Sequence, residues 1–413
     1  MSKFLRVVTL NCWALPQPWP IGSKDRKYRL EKLVEALLET EYDVISLQEI
    51  WSERDYLSIS AALTAVYPYS HYFHSGFTGS GVCVITKHPI VSTLMHRYSL
   101  NGFAHHVHRG DWFGGKVVGL VLLAVGDLHV SFYTTHLHAE YNRKNDLFLP
   151  HRLSQAFELS QFVRHTEALS DCSILTGDFN IEPEDLGYRL IINNAHLRDS
   201  WLERPVTIPL DHNQNQTPFS KNGDSSCKGM TCDRPDNNYT ADYLLKEAPQ
   251  GKRLDYIMFK SGKAKIRLVE CENRLGKIPG PKNIDYSDHL GVYSLFEIEN
   301  GSSSKDIESG EKPKRDMDIL NESLNILGEG EMRALWDRRL YLAVCVILLA
   351  MIVATIAFEV NFSSSFFTAS ATIGRFILTL VFGFCLWYGI IGLTMELKAL
   401  KAAKLSMQQL LND

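Results

Sequence analysis

Two long apolar segments near the end of the chain limit its fold most. Residues 340–358 carry no charged side chain, and residues 373–395 carry only Arg375. About 20 apolar residues in a helix cross a hydrocarbon core about 30 Å thick, so each segment is long enough to span a membrane. The short connection between them predicts a two-helix transmembrane hairpin within a C-terminal unit of residues 333–413. The alternative is a buried hairpin in a soluble domain, which would leave apolar faces of two such helices exposed.

Basic residues flank the hairpin on both sides. They are Arg333, Arg338 and Arg339 before the first span, and Lys398, Lys401 and Lys404 after the second. Cytoplasmic flanks of membrane spans are enriched in Lys and Arg, so both ends of the hairpin, including the basic tail, are expected in the cytosol. The residues before the hairpin would then face the cytosol beside a membrane leaflet.

Residues 1–298 have the pattern of one α/β domain, in which short apolar runs typical of strands mix with amphipathic helices. The predicted strands are 5–10, 44–47, 82–86, 117–125, 129–135, 173–176, 254–259 and 290–296, and the predicted helices lie near 25–39, 53–66 and 150–166. This mixture favours two packed sheets with helices outside. Residues 299–332 are rich in Gly, Ser and alternating charges, and they predict a flexible linker with a short helix near 317–326.

Charge, cysteine spacing and one polar segment narrow the class of protein. The net charge of −4 gives no global basic field, which argues against a nucleic-acid enzyme, although local basic patches could do the same work. The eight cysteines are scattered, with Cys227 and Cys232 as the only close pair, and this favours free thiols in a reducing compartment. Residues 203–252 are rich in Asn, Asp, Pro, Ser and Lys, and they predict either a solvated excursion or a substrate lid.

Polar side chains at the ends of the predicted strands supply the parts needed for metal-assisted hydrolysis of a phosphate ester. Glu49 follows a buried strand and offers the carboxylate that Mg²⁺ prefers, and Asn11 follows the first strand and offers an amide oxygen. His289 is the candidate general base because its pKa lies near neutrality. Asp255, on a strand, is placed to orient its imidazole.

Three further side chains complete the predicted constellation. Asp178 is expected to orient the attacking water, and Asn180 is expected to donate to a phosphoryl oxygen. A second donor is either His136 or His138, since strand alternation puts both on the same side and the motif alone does not choose between them. Because these residues are far apart in the chain, their use in one site is a prediction about the fold.

The series of motifs resembles the DNase I-like endonuclease/exonuclease/phosphatase superfamily over about residues 4–298. The motifs, in the order usual for that superfamily, are Leu10-Asn11-Cys12-Trp13, Gln48-Glu49, Thr135-His136, Gly177-Asp178-Phe179-Asn180, Arg253-Leu254-Asp255-Tyr256 and Ser287-Asp288-His289. Two longer strings, at 110–116 and 136–142, together with the C-terminal hairpin, resemble the membrane-bound neutral sphingomyelinases.

This resemblance implies a four-layer α/β/β/α sandwich followed by the transmembrane hairpin. It also implies cleavage of sphingomyelin to ceramide and phosphocholine, dependent on Mg²⁺, with Mn²⁺ as a substitute. The resemblance implies that Glu49, Asn11 and Asp288 serve the metal, and that His136 and Asn180 contact the phosphate. It implies that Asp178 aligns the attacking water and that His289 is the base, with Asp255 behind it. Asp111 and Lys116 are implied to lie in a loop beside the phosphate. The resemblance places the protein in the endoplasmic reticulum, with the nuclear envelope as an alternative.

The substrate class depends on the hairpin, because this type of site also cuts DNA and inositol phosphates. A membrane-tethered domain meets lipid head groups at high effective concentration, which favours sphingomyelin over nucleic acid. Lyso-choline phospholipids, a membrane-anchored nuclease or inositol-phosphate phosphatase, and a non-catalytic scaffold remain as alternatives. Four aromatic residues near the motifs fit either choline or simple packing: Trp13, Trp19, Trp112 and Phe113.

Overall fold

The computed structural model describes residues 2–17, 21–205, 229–300, 316–361 and 364–412. Its strands are β1 (Ser2–Asn11), β2 (Val44–Gln48), β3 (Tyr69–Tyr72), β4 (Cys83–Thr86), β5 (Ile90–Arg97), β6 (Val117–Val125), β7 (Leu128–His136), β8 (Cys172–Asp178), β9 (Arg198–Asp199), β10 (Asp255–Ser261), β11 (Lys265–Arg274) and β12 (Gly291–Glu299). Its helices are α1 (Arg26–Glu39), α2 (Glu53–Leu63), α3 (Leu149–Thr166), α4 (Leu186–Ala195), α5 (Ser200–Glu203), α6 (Asp242–Glu247), α7 (Met317–Asn361), α8 (Ser365–Trp387) and α9 (Leu393–Asn412).

The strands form two six-stranded sheets, in the orders β11-β12-β1-β2-β4-β3 and β5-β6-β7-β8-β10-β9. Apolar side chains from both sheets, such as Val7, Phe132 and Phe296, form one buried core between them. A second core lies under α1 and α2 on the first sheet, and a third lies under α3 and α4 on the second. The four-layer α/β/β/α sandwich is therefore confirmed.

Strand pairing brings the polar strand ends to one edge of the sandwich. In the first sheet, parallel β1 and β2 place Asn11 opposite Gln48. In the second sheet, Asp178 on β8 lies opposite His136 on parallel β7 and opposite Asp255 on antiparallel β10. Only glycine fits just before this carboxylate, because a Cβ on Gly177 (φ 137°) would overlap the Thr135 carbonyl.

The C-terminal helices form a further layer on the α/β/β/α sandwich. Helix α7 is continuous over 45 residues, and a π-helical turn at Tyr388–Gly392 joins α8 to α9. The helices have stretches long and apolar enough to cross a membrane, and only 11% and 22% of those stretches is buried. They are candidate membrane spans, as predicted.

The ends of the same helices pack on α3 and α4. Leu327 on α7 and Leu400 and Met407 on α9 are fully buried in a core that they share with Leu153 and Leu190. The helix predicted near 317–326 is present as the first part of α7. The flexible linker predicted for the residues after it, up to 332, is wrong, because α7 continues through them and apolar residues at helical spacing pack on the sandwich. Residues 301–315 lie outside the described residues.

This packing leads to a prediction about stability. Replacing Leu400, which is fully buried, by alanine is expected to cost about 2–5 kcal/mol of the free energy that holds α9 in place, because the lost methyl groups leave a cavity. The matched change Leu405→Ala on the same helix, where the side chain is 61% exposed, should cost less than about 0.5 kcal/mol. Hydrogen exchange of α9 amides in the full-length protein measures both. Equal protection in the two variants would contradict this packing.

Candidate active site

A single asparagine joins the two sheets at the centre of the site. The Asn11 side-chain amide donates to Glu49 Oε1 at 3.0 Å and to Asp178 Oδ2 at 2.9 Å. Its oxygen accepts from the backbone N–H of Trp13 at 3.0 Å. Asn11 therefore holds two carboxylates of different sheets together through its nitrogen, which the sequence analysis did not anticipate.

Backbone conformation aims two of the site's side chains. Glu49 and Asn180 both have left-handed backbone, with φ of 58° and 50°, which is uncommon outside glycine. Each follows the last residues of a buried strand, so the chain turns sharply where the strand ends. The Asn180 backbone N–H donates to Asp178 Oδ1 at 2.9 Å and fixes that turn. Strained backbone of this kind is found most often at functional sites.

A buried layer of hydroxyl and amide groups lies between the sheets behind the site. Ser46 Oγ is 2.8 Å from Thr134 Oγ1 and accepts from Thr176 Oγ1 at 2.9 Å. The Gln48 amide donates to Ser46 Oγ at 2.9 Å and to Thr9 Oγ1 at 3.0 Å. These groups satisfy one another and fix the register of the two sheets, so the strand ends keep their spacing.

His289 lies in a pocket built for an oriented imidazole. Its Nδ1 is 2.8 Å from Asp255 Oδ2, and its Nε2 is 4.0 Å from Asp178 Oδ2. Burial by itself lowers the pKa of His289, but the Cys232 sulfur and the Asp255 carboxylate outweigh burial and raise it well above its usual value. Burial and the nearby Asp255 charge raise the pKa of Asp178.

The opposite side of the cluster is lined by donors. Lys116 Nζ lies 3.0 Å from His136 Nε2 and donates to the Leu137 carbonyl at 2.9 Å. His136 Nε2 is also 3.5 Å from Asp178 Oδ2. Burial, reinforced by the Lys116 charge, holds the pKa of His136 well below its usual range, so this imidazole is neutral. The positive charge on this side therefore comes from Lys116.

The two histidines of the same motif point to different places, contrary to the prediction that they share one side. Strand β7 ends at His136, so strand alternation does not extend to His138. His138 is fully buried, stacks on Phe148 at 4.6 Å and lies 3.8 Å from Asp111 Oδ2. The geometry brings His136, and not His138, to the carboxylates.

Asp288 and Arg29 complete the charged surroundings. Ser287 Oγ donates to Asp288 Oδ1 at 3.1 Å and to the Asn11 carbonyl at 2.6 Å, which ties the Asp288 loop to the end of β1. Burial and the neighbouring Glu49 charge raise the pKa of Asp288 to about 6, although His289 and Arg29 oppose them. Arg29, which the sequence analysis missed, is fully buried and donates to the Cys12 and Tyr286 carbonyls.

The carboxylate oxygens of the site form a set of ligands that fits a divalent cation. The acids that meet here are Glu49, Asp178, Asp255 and Asp288. Burial and, to a lesser extent, the neighbouring carboxylates raise the pKa of Asp178 and of Asp288, and a bound cation would favour their charged forms. Among the described residues, ligand atoms of Asp178, Asp255 and His289 also lie within 4.8 Å of one another.

Part of the polar insertion forms a wall of the site. Thr231 and Cys232 are buried, and the Leu290 backbone N–H, next to His289, donates to the Thr231 carbonyl at 2.7 Å. The Asn237 amide donates to the Ser287 carbonyl at 2.9 Å. The prediction of a solvated excursion is therefore wrong for this part, and residues 206–228 lie outside the described residues. The described cysteines are free, as predicted, and Cys227 lies outside them.

The aromatic residues near the motifs have mixed positions. Trp13 packs on Tyr239, with ring centroids 5.1 Å apart, and Trp112 packs against Phe113 at 5.2 Å. Trp19 lies outside the described residues. The sequence analysis missed Trp51, whose Nε1 donates to Glu49 Oε2 at 3.4 Å and whose ring lies 6.1 Å from that of His136. Its position two residues after Glu49 was the available signal.

The His289–Asp255 pair leads to a prediction about pH dependence. A base must be unprotonated to accept a proton, so activity should rise with pH through the pKa of His289. Asp255 raises that pKa, and Asp255→Asn should therefore move the acid limb of kcat/KM to lower pH while lowering its plateau by about 10²–10⁴-fold. The pH–rate profile at saturating metal measures this, with the exposed change Asp127→Asn as control. An acid limb that stays in place or moves to higher pH would contradict the pairing.

Known proteins are similar in sequence to this chain. The model of the Endonuclease/Exonuclease/phosphatase family matches residues 8–289. "Putative neutral sphingomyelinase" of Caenorhabditis elegans is 51% identical over all of this chain and 92% of its own length. "Sphingomyelin phosphodiesterase 2" of Homo sapiens is 36% identical over 81% of this chain and 75% of its own length.

A solved structure shows the same fold. Beta toxin 275-280 from Staphylococcus aureus superposes with a TM-score of 0.50 at 18% identity, covering 70% of this chain and 99% of that chain. Together with the family match over most of the sandwich and the relatives' similarity along the chain, the resemblance inferred from the motifs is confirmed. The chain belongs to the Endonuclease/Exonuclease/phosphatase family and, within it, to the neutral sphingomyelinases.

Proposed function

We propose that this protein is a Mg²⁺-dependent phosphodiesterase of the phospholipase C type that hydrolyses sphingomyelin to ceramide and phosphocholine. The observation that carries the proposal is the meeting of the predicted side chains at one edge of the sandwich. Asn11 joins Glu49 to Asp178, and Asp178 lies within 4.0 Å of a nitrogen of both His136 and His289. The sphingomyelinase relatives and the candidate membrane spans support a membrane lipid as the substrate.

The proposed reaction is an attack of water on phosphorus. Asp178 Oδ2 and His289 Nε2 lie 4.0 Å apart. In the proposed mechanism the attacking water bonds to both of these atoms. His289 Nε2 takes the water proton, and Asp255 at Nδ1 keeps the ring oriented and stabilises the imidazolium that forms. The new bond joins the water oxygen to phosphorus, the bond from phosphorus to the ceramide oxygen breaks, and that oxygen leaves with the electron pair. The ceramide oxygen then takes a proton from solvent water, and the His289 imidazolium returns its proton to solvent.

The phosphate lies against the donor side of the site. Lys116 supplies a positive charge to the phosphoryl oxygens. Neutral His136 accepts from Lys116 at Nε2 in this structure, and it donates an N–H from that nitrogen once the phosphate takes over the Lys116 ammonium. The Asn180 amide, which donates to the Leu137 carbonyl at 3.0 Å, supplies a second. These donors stabilise the charge that grows on the equatorial oxygens as the bonds change.

We assign the metal to Glu49, with Asn11 and Asp288 beside it. The Glu49 side chain is 20% exposed, whereas Asp178 and Asp255 are buried and Asp255 is committed to His289. Mg²⁺ prefers oxygen ligands and keeps several waters, which suits this partly open position better than the buried group around the imidazole. Bound there, the cation would neutralise phosphate charge and stabilise the leaving oxygen; Mn²⁺ is expected to substitute.

The proposed cellular arrangement has the catalytic domain in the cytosol. Residues 1–298 form the catalytic unit and residues 333–413 the membrane unit, and helical residues 317–332 connect them. Basic residues on both flanks of the hairpin favour the cytosolic side. The endoplasmic reticulum is the proposed membrane, with the nuclear envelope as the alternative.

A substrate panel tests the proposal. Purified full-length protein in detergent should release phosphocholine from sphingomyelin, lose activity in EDTA and recover it when Mg²⁺ is restored. The panel includes lyso-phosphatidylcholine, an inositol-phosphate lipid and duplex DNA, each for one rival function. Cleavage of DNA or of the inositol lipid at a higher kcat/KM than sphingomyelin would overturn the proposal, as would activity that survives EDTA.

A further inference from the structure

Two loops beside the site carry exposed apolar side chains next to the membrane hairpin. Phe77, between β3 and β4, is 90% exposed, and Val107, between β5 and β6, is 65% exposed. We call Phe77, Val107 and the residues Trp112 and Phe113 the apolar rim. No other part of the described chain covers the Phe77 side chain, and exposed apolar patches often mark a surface that contacts a membrane or another molecule.

The rim is continuous with the part of the hairpin expected at the lipid–water boundary. The Trp112 ring makes an edge contact with Trp387 at 5.7 Å, where α8 ends. Exposed aromatic residues, including Trp336 and Trp387, cluster at this end of the hairpin. Trp and Tyr are enriched at both membrane interfaces because their rings are apolar and their tips are polar. A hairpin that crosses the membrane would therefore place Trp112 at head-group depth.

Contacts connect the loops of Phe77 and Val107 to this end of the hairpin. The Phe77 backbone N–H donates to the Phe113 carbonyl at 3.2 Å, and Phe113 packs on Trp112. Val107 is two residues from His105, whose ring lies 5.3 Å from that of Tyr388 on the hairpin. Exposure alone does not identify a membrane contact. Phe4 is also exposed, at 53%, but it lies near the start of β1, at the opposite end of the strand from Asn11. The contacts of the Phe77 and Val107 loops with the hairpin distinguish these residues from Phe4.

Resting on the proposed function, we propose that the apolar rim inserts into the same leaflet that holds the hairpin. Partly buried Trp112 and Phe113 immediately precede the segment that carries Lys116, so insertion brings the phosphate-binding side of the site to the head groups. Loop insertion then sets the depth at which a lipid phosphate reaches Lys116 and His136. The hairpin provides attachment to the bilayer, and the rim provides the docking pose.

Photo-crosslinking tests the contact without reference to activity. Full-length protein in proteoliposomes of phosphatidylcholine carries p-benzoylphenylalanine in place of Phe77, of Val107 or, as a matched control, of Phe4. Irradiation should join lipid to positions 77 and 107 at least about tenfold more than to position 4. Equal lipid adducts at all three positions would overturn the proposal. It would also be overturned if position 77 crosslinked to a second copy of the chain, or if it formed no adduct with lipid.

An activity comparison tests the consequence. Phe77→Ser should lower hydrolysis of sphingomyelin in bilayers by about tenfold, because a large apolar side chain no longer leaves water on docking. Hydrolysis of a short-chain sphingomyelin dissolved as monomers should change less than about twofold, and Phe4→Ser should be near wild type on both. Equal losses on both substrates would contradict a docking role. If the wild type cuts neither form of sphingomyelin, the proposed function fails. The docking proposal would still be tested by the lipid adduct at position 77.

Discussion

Replacing His289 by alanine is expected to lower kcat/KM for sphingomyelin by about 10³–10⁴-fold with little change in overall structure. The imidazole is the one base whose Nε2 faces Asp178 while its Nδ1 is held by Asp255 in the described residues. Its loss leaves the water without a proton acceptor, but the metal and phosphate contacts remain. The measurement is steady-state kinetics with the circular dichroism spectrum of each variant.

Two further variants separate loss of the base from loss of structure. His289→Gln keeps an N–H for Asp255 and should be as inactive as His289→Ala but more stable, since it does not leave a buried carboxylate unpaired. The exposed change His129→Ala should have near wild-type activity. Wild-type rates in His289→Ala would remove the base assignment. Loss of activity without any change in cellular behaviour would instead favour a non-catalytic scaffold.

Replacing Glu49 by glutamine is expected to raise the Mg²⁺ concentration needed for half-maximal activity by about 10–100-fold. Glutamine keeps the shape and can still bond with Asn11, but the cation loses a charged ligand worth about 1.5–3 kcal/mol. At saturating metal, part of the activity should return. The measurement is a Mg²⁺ titration of the initial rate, repeated with Mn²⁺.

The matched change for this experiment is Glu31→Gln, an exposed acid on α1. Its Mg²⁺ titration should overlay that of the wild type, which excludes a general effect of net charge. An unchanged Mg²⁺ requirement in Glu49→Gln would move the metal to the buried group of Asp178, Asp255 and His289.

The sequence predicted the site better than it predicted the less buried elements. Strands β1, β2, β7, β8 and β10 are central and apolar, so their positions and the polar residues at their ends were visible. Strand β11 was missed because a bulge between Leu268 and Glu270 breaks its alternation of buried and exposed residues. Strand β5, at a sheet edge, was missed because most of its side chains are exposed.

Other differences come from contacts that no local pattern encodes. A short helix was predicted near 317–326, but α7 continues without a break through residue 332, and Leu327 is buried against the catalytic domain. Whether His136 or His138 reaches the cluster depends on the residue at which β7 ends. The amide orientation of Asn11 depends on Glu49 and Asp178, which belong to different sheets. Long-range packing decides each of these cases.

The most direct test of the central claim is a single-turnover reaction in ¹⁸O-labelled water. Full-length protein in excess over sphingomyelin, with Mg²⁺, should place one ¹⁸O in phosphocholine and none in ceramide, because water activated between Asp178 and His289 attacks phosphorus. EDTA should abolish the incorporation, and His289→Ala should slow it by about 10³–10⁴-fold. Label in ceramide, or label in phosphocholine at an equal rate without metal or without His289, would contradict the mechanism.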